Sequence, residues 1–151
     1  MVMVAGVYHP AGCHPSRPVP MYAYQGTPDS TIPYDGGGKS NLATSSWPGI
    51  AGFFDNVIPA QFADFATDYG CRTPPVPVHI GADVVRFDYS RCRDSTTMRF
   101  FEINGGGHTW PDSPVAALLR PLGATTTTVN ATADGWTFLK TNTLSDTPSH
   151  R

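Results

Sequence analysis

The chain has 151 residues, a formal net charge of −2 and only 15% charged residues. No basic stripe is present and no apolar run approaches the roughly 20 residues that span a bilayer, so nucleic acid and membrane are excluded as expected partners. Hydrophobic residues at 40% and aromatics at 11% are enough for one packed domain, while 15 glycines and 15 prolines demand many turns.

Met1 to Val7 is apolar but lacks the charged start of a signal peptide, so it is expected to be part of a buried strand. A chain that starts inside a sheet points to truncation of a longer protein. Val19 to Tyr24 (VPMYAY) reads as a short strand, bounded by Pro18 and by Gln25-Gly26-Thr27-Pro28-Asp29. Ile32 to Trp47 is a loop centred on Gly36-Gly37-Gly38. From Pro59 to Tyr69, Phe62, Phe65, Ala66 and Tyr69 recur at helical spacing, with Pro59 suited to the first turn and Gly70 to the stop. Val76 to Ile80 and Val84 to Tyr89 alternate as a two-stranded excursion turning at Gly81-Ala82-Asp83. Thr97 to Ile103 is the best strand, followed at once by Asn104-Gly105-Gly106-Gly107-His108-Thr109-Trp110-Pro111. A last helix is expected from Asn130 to Lys140, with Ala133, Trp136 and Leu139 on one face. Residues 1–140 thus form one α/β unit and residues 141–151 a polar tail.

Two residues stand where α/β sheets gather their chemistry, beyond the carboxyl ends of strands. Three glycines let the backbone turn sharply before His108, which suits a general base and acid near neutral pH; a loop histidine with no task is the plainer reading. Asp29 follows the other good strand, placed either to orient an imidazole or merely to cap its own turn. Acid first and histidine later is the chain order of α/β-hydrolases, yet no G-x-S-x-G occurs in the sequence. Gly38-Lys39-Ser40 resembles the end of a phosphate-binding loop but has Pro33 where the first glycine should stand. His9, Cys13 and His14 lack a fourth metal ligand at suitable spacing. Asn130-Ala131-Thr132 is a glycosylation sequon whose asparagine is better placed as a helix N-cap. Cys71 and Cys92 follow a helix and a strand, so they either bridge the segment between them or stay as two thiols; Cys13 is left over.

The run Val19-Pro-Met-Tyr-Ala-Tyr-Gln-Gly-Thr-Pro-Asp29, with Ile32-Pro33-Tyr34, Tyr69-Gly70-Cys71, Tyr89-Ser-Arg-Cys92 and Ile103-Asn-Gly-Gly-Gly-His-Thr-Trp-Pro111, resembles the esterase/polyhydroxybutyrate depolymerase family, which includes feruloyl and acetylxylan esterases. The resemblance covers nearly the whole chain but only the C-terminal half of that family. It implies the C-terminal part of an α/β-hydrolase sheet, about three core strands plus a small hairpin and two main helices, without the half that bears the nucleophile. It further implies Asp29 as triad acid, His108 as triad base and a Cys71–Cys92 disulfide. Trp110 would line the active-site mouth or pack in the core, and Tyr34 would be a second lining residue. Gln25 departs from the family's usual histidine. The implied protein is a secreted serine esterase acting on hydroxyalkanoate polyesters or on feruloyl or acetyl esters of polysaccharide, with no cofactor or metal. Its N-terminal half is the implied partner, and without it this chain is expected to be inactive and prone to aggregate along an open strand edge. The competing expectations are a non-catalytic remnant and a polymer-binding module presenting Trp47, Tyr34 and Trp110.

Overall fold

The computed structural model describes residues 1–37 and 56–142; Trp47, Gly38-Lys39-Ser40 and most of the expected polar tail lie outside them. Five strands form one sheet: β1 (Val2–Val4), β2 (Met21–Gly26), β3 (Thr73–Ile80), β4 (Val84–Ser90) and β5 (Met98–Ile103). Their spatial order is β1-β2-β5-β4-β3. β1, β2 and β5 run parallel, whereas β4 pairs antiparallel with both β5 and β3. The hairpin is therefore no excursion from the sheet. Arg86 opposite Phe101 and Asp88 opposite Arg99 continue the ladder of β5, so β3 and β4 widen the sheet on that side. The first good strand starts at Met21, two residues later than the apolar run suggests, because Pro18 and Pro20 have no amide to offer a ladder.

One helix covers each face. Helix α1 (Ile58–Asp68) begins with proline in its first turn and buries Ile58, Phe62, Phe65 and Ala66 against Met21, Ala23, Met98 and Phe100. It stops at Gly70, whose φ of +64° reverses the chain. The Arg93 guanidinium then caps the open helix end by donating to the Asp68 carbonyl at 2.8 Å. Helix α2 (Ala131–Thr141) is capped by Asn130, whose Oδ1 accepts from the Ala133 amide at 2.7 Å. Its buried face is Ala131, Gly135 and Phe138 rather than Ala133, Trp136 and Leu139: Trp136 is 61% exposed and Leu139 43%. Close approach decides the face. Gly135 sits against the Val2 side chain, where even a Cβ would lie 3.2 Å from a methyl, and this lets Phe138 stack on Tyr22 with ring centroids 3.8 Å apart.

Cys71 and Cys92 form a disulfide with a sequence separation of 21, joining the end of α1 to the segment after β4. Closing a loop of that length contributes about 3 kcal/mol on the chain-entropy model. Structural bridges of this kind belong to oxidising compartments. Among the described residues no helix is long and apolar enough to cross a membrane.

Candidate active site

Strand register brings the site together. Gly26, the last residue of β2, pairs with Ile103, the last of β5, so the loops after both strands leave the sheet side by side. The approach is too close for side chains: a Cβ on Gly26 would lie 2.0 Å from the Gly106 carbonyl oxygen. Thr27 ties the loops further, its amide donating to the Ile103 carbonyl at 3.0 Å and its hydroxyl accepting from the Gly105 amide at 3.1 Å.

Asp29 and His108, 79 positions apart in sequence, meet there with Nδ1 of the imidazole 3.0 Å from Oδ2 of the carboxylate. The Asp29 side chain is fully buried and that of His108 is 28% exposed. Asp29 is saturated with donors. Its Oδ1 accepts from the amides of Thr31 at 2.8 Å and Ile32 at 2.9 Å, while Oδ2 also accepts from Gln25 Nε2 at 2.9 Å. A carboxylate so held aligns the ring it faces, and its bond at Nδ1 fixes which ring nitrogen carries the proton. The other nitrogen, Nε2, has no hydrogen-bond partner among the described residues. The pair can therefore pass a proton at Nε2 while the charge left on the ring is balanced at Nδ1.

The turn bearing His108 is gripped by the segment between residues 122 and 128. His108 donates its amide to the Leu122 carbonyl at 2.8 Å, and the Gly107 amide and Thr109 hydroxyl both donate to the Ala124 carbonyl at 2.9 Å. Asp83, in the β3–β4 turn, anchors that segment to the sheet. Its Oδ2 accepts from the Thr126 hydroxyl at 2.6 Å, its Oδ1 accepts from the Thr128 hydroxyl, and its own carbonyl accepts from the Asn104 amide. The Thr126 and then the Thr128 hydrogen bonds hold the Asp83 carboxyl below its ordinary value of 3.8. A folded-state value below the unfolded one means a stabilising contribution present above about pH 4 and lost as pH falls through the lower, folded value. Thermal melts between about pH 5 and pH 2.5 are accordingly expected to fall less steeply for Asp83→Asn than for the parent chain. Equal slopes would show that this carboxylate does not clamp the segment.

The remaining expected site residues divide. Tyr34 is half-buried; its hydroxyl donates to Glu102 on β5 and its carbonyl accepts from the Ile58 amide at the start of α1. Burial, followed by the Glu102 bond, pushes the phenol far above its usual range. Tyr34 thus pins the loop whose amides hold Asp29. Trp110 is 43% exposed and so is not a core residue; its indole N–H donates to the Thr132 hydroxyl at 2.9 Å. His9 and His14 do not converge with Cys13 on a common centre but both approach Asp68, at 2.7 and 3.7 Å. A cavity of about 550 Å³ opens on the α2 face of the sheet. Tyr22, Arg86, Arg99, Phe101 and Phe138 are among its lining residues, and it shares none with the Asp29–His108 pair. Asp83 and Glu102 are the residues missed as parts of the site from sequence. Neither carried a signal, whereas Gln25, the departure from the family's histidine, is found donating to Asp29. In comparison with known proteins, the chain matches no family model and no curated protein.

Proposed function

We propose that Asp29 and His108 are the acid and base of a serine carboxylic-ester hydrolase of α/β-hydrolase type, whose nucleophile is not among these 151 residues. The observation that carries the reading is the 3.0 Å contact between His108 Nδ1 and a buried carboxylate saturated with donors, at the carboxyl ends of two adjacent parallel strands. The resemblance in GGGHTWP and in the Asp29 segment supports it, and so does the disulfide, which suits a secreted enzyme. In this mechanism a serine hydroxyl gives its proton to His108 Nε2 as it attacks the ester carbonyl. His108 returns the proton to the leaving alkoxide, and water repeats the cycle on the acyl-enzyme. Throughout, Asp29 holds the ring and balances the imidazolium charge. Hydroxyalkanoate polyesters and feruloyl or acetyl esters of polysaccharide are the substrate classes the resemblance favours.

The test compares the 151-residue chain with the product of its coding sequence extended upstream through any in-frame G-x-S-x-G. Hydrolysis of a p-nitrophenyl acyl ester, and fluorophosphonate labelling of a serine, are expected in the extended product alone. Hydrolysis by the 151-residue chain that survives His108→Ala would sink the reading, as would an extended product with no labelled serine.

One observation favours a second role, binding to an insoluble polymer. Thr132 receives the Trp110 indole N–H, and Trp136, 61% exposed, lies four residues further along the same face of α2. Two exposed indoles on one side, that of Trp136 with the Lys140 ammonium over one face, offer surfaces on which sugar rings or polyester chains could stack. Retention on insoluble xylan or polyester is expected to be lost when both are changed to alanine. Retention unaltered by that change would dismiss the role.

A further inference from the structure

Gln25 is 1% exposed and sits on β2 one residue before the close approach at Gly26. Its amide nitrogen donates both of its hydrogens, one to Asp29 Oδ2 at 2.9 Å and one to the Ile32 carbonyl at 3.1 Å. Its carbonyl oxygen is buried and has no partner among the described residues. The orientation of the amide is therefore dictated from one side only: turning it over would set its oxygen against a carboxylate and a carbonyl. A buried acceptor left unpaired is a cost that an apolar side chain of the same shape would avoid. What the amide supplies against that cost is its two donated hydrogen bonds, to the carboxylate and to the Ile32 carbonyl.

We propose that Gln25 is a positioning residue for the Asp29–His108 pair. It holds Oδ2 at the angle His108 needs and ties the Ile32 carbonyl so that the Thr31 and Ile32 amides stay on Oδ1. The inference rests on the acid–base reading above. It adds that the direction of the carboxylate is set by three donors on two sides, two backbone amides from the following turn and one side-chain amide from the strand. Because the side-chain donor is a neutral amide, it does not titrate and its hold is the same across the working pH range.

The experiment uses the 151-residue chain and two variants of nearly unchanged shape. Gln25→Met removes the donor, and Gln25→Glu, read at a pH where the new carboxyl is ionised, puts an acceptor in its place. Two signals are followed by NMR: the far-downfield proton on His108 Nδ1, and solvent exchange of the Thr31 and Ile32 amides. The parent chain is expected to show the Nδ1 proton and slow exchange at both amides. In Gln25→Met the Nδ1 signal should broaden or vanish, and exchange at Thr31 and Ile32 should speed up by about tenfold or more. Gln25→Glu should lose the signal outright. A sharp Nδ1 proton and slow amides in both variants would overturn the role of Gln25 and leave the acid–base pair standing. A lower melting temperature with the Nδ1 proton intact would also overturn it, by showing a purely structural residue. Absence of the Nδ1 proton in the parent chain would instead overturn the pairing itself, and this inference with it.

Discussion

Alanine in place of His108 is expected to lower kcat for ester hydrolysis by about 10⁶-fold in a product that carries the nucleophile, and Asp29→Asn by about 10⁴-fold. The first loss is that of the group proposed to move the proton. The second follows from the donors around Asp29. Thr31 and Ile32 present amides to Oδ1 and require an acceptor there, so the oxygen of an asparagine must take that side. Its NH₂ is then forced toward Gln25 Nε2 and His108 Nδ1, where a carboxylate oxygen now stands. His108 would answer by accepting at Nδ1 and carrying its proton on Nε2, the nitrogen that must be empty to receive the serine proton. The ring would remain in place in the wrong tautomer. Steady-state rates for both variants on a p-nitrophenyl ester check this. An Asp29→Asn enzyme within tenfold of the parent would show that Asp29 does not set the tautomer.

Gly26→Ala is expected to destabilise the fold by about 3 kcal/mol and to part the two loops. Glycine-to-alanine changes at compatible positions usually stabilise by about 0.4–1 kcal/mol through the unfolded chain. Here the sign reverses. The added methyl would stand 2.0 Å from the Gly106 oxygen and 2.7 Å from the Gly107 oxygen, and both are backbone atoms that cannot swing aside. Gly105→Ala is the control: open space surrounds it, so only its φ of +79° costs, at about 1 kcal/mol. Urea melts of the two variants measure the difference. A Gly26→Ala chain as stable as Gly105→Ala would mean the loops do not meet as closely as described.

The sequence discloses what rests on local chemistry. The strand ending at Ile103, the glycine turn and His108 are legible because an apolar run and a change of backbone habit adjoin there. Helix α1 is legible through Pro59, its spaced aromatics and Gly70. The place of the hairpin in the sheet is not, because pairing between Asp88 and Arg99 depends on a partner strand that no local pattern names. The exposed face of α2 is misleading for a related reason: a glycine, invisible to a hydrophobic pattern, decides which side approaches β1. The grip of Leu122 and Ala124 on the His108 turn is made by backbone carbonyls, which every residue has, so composition cannot single them out. Asp83 looks like an ordinary turn aspartate until Thr126 and Thr128 are seen to reach it.

The grip has a further consequence for how such a site can diversify. It begins at Leu122, whereas between Ser113 and Leu119 no residue is buried and Leu118 is 78% exposed. Lengthening or rebuilding that span disturbs neither the core nor the bonds that hold His108, and the entropy cost of a longer surface loop rises only slowly with length. The span also leaves the chain beside Trp110, within reach of whatever approaches the histidine. If Asp29 and His108 act as proposed, acid–base chemistry and surface recognition would be carried by neighbouring but separate stretches, so selection could alter what docks at this edge while leaving the proton-transfer apparatus untouched.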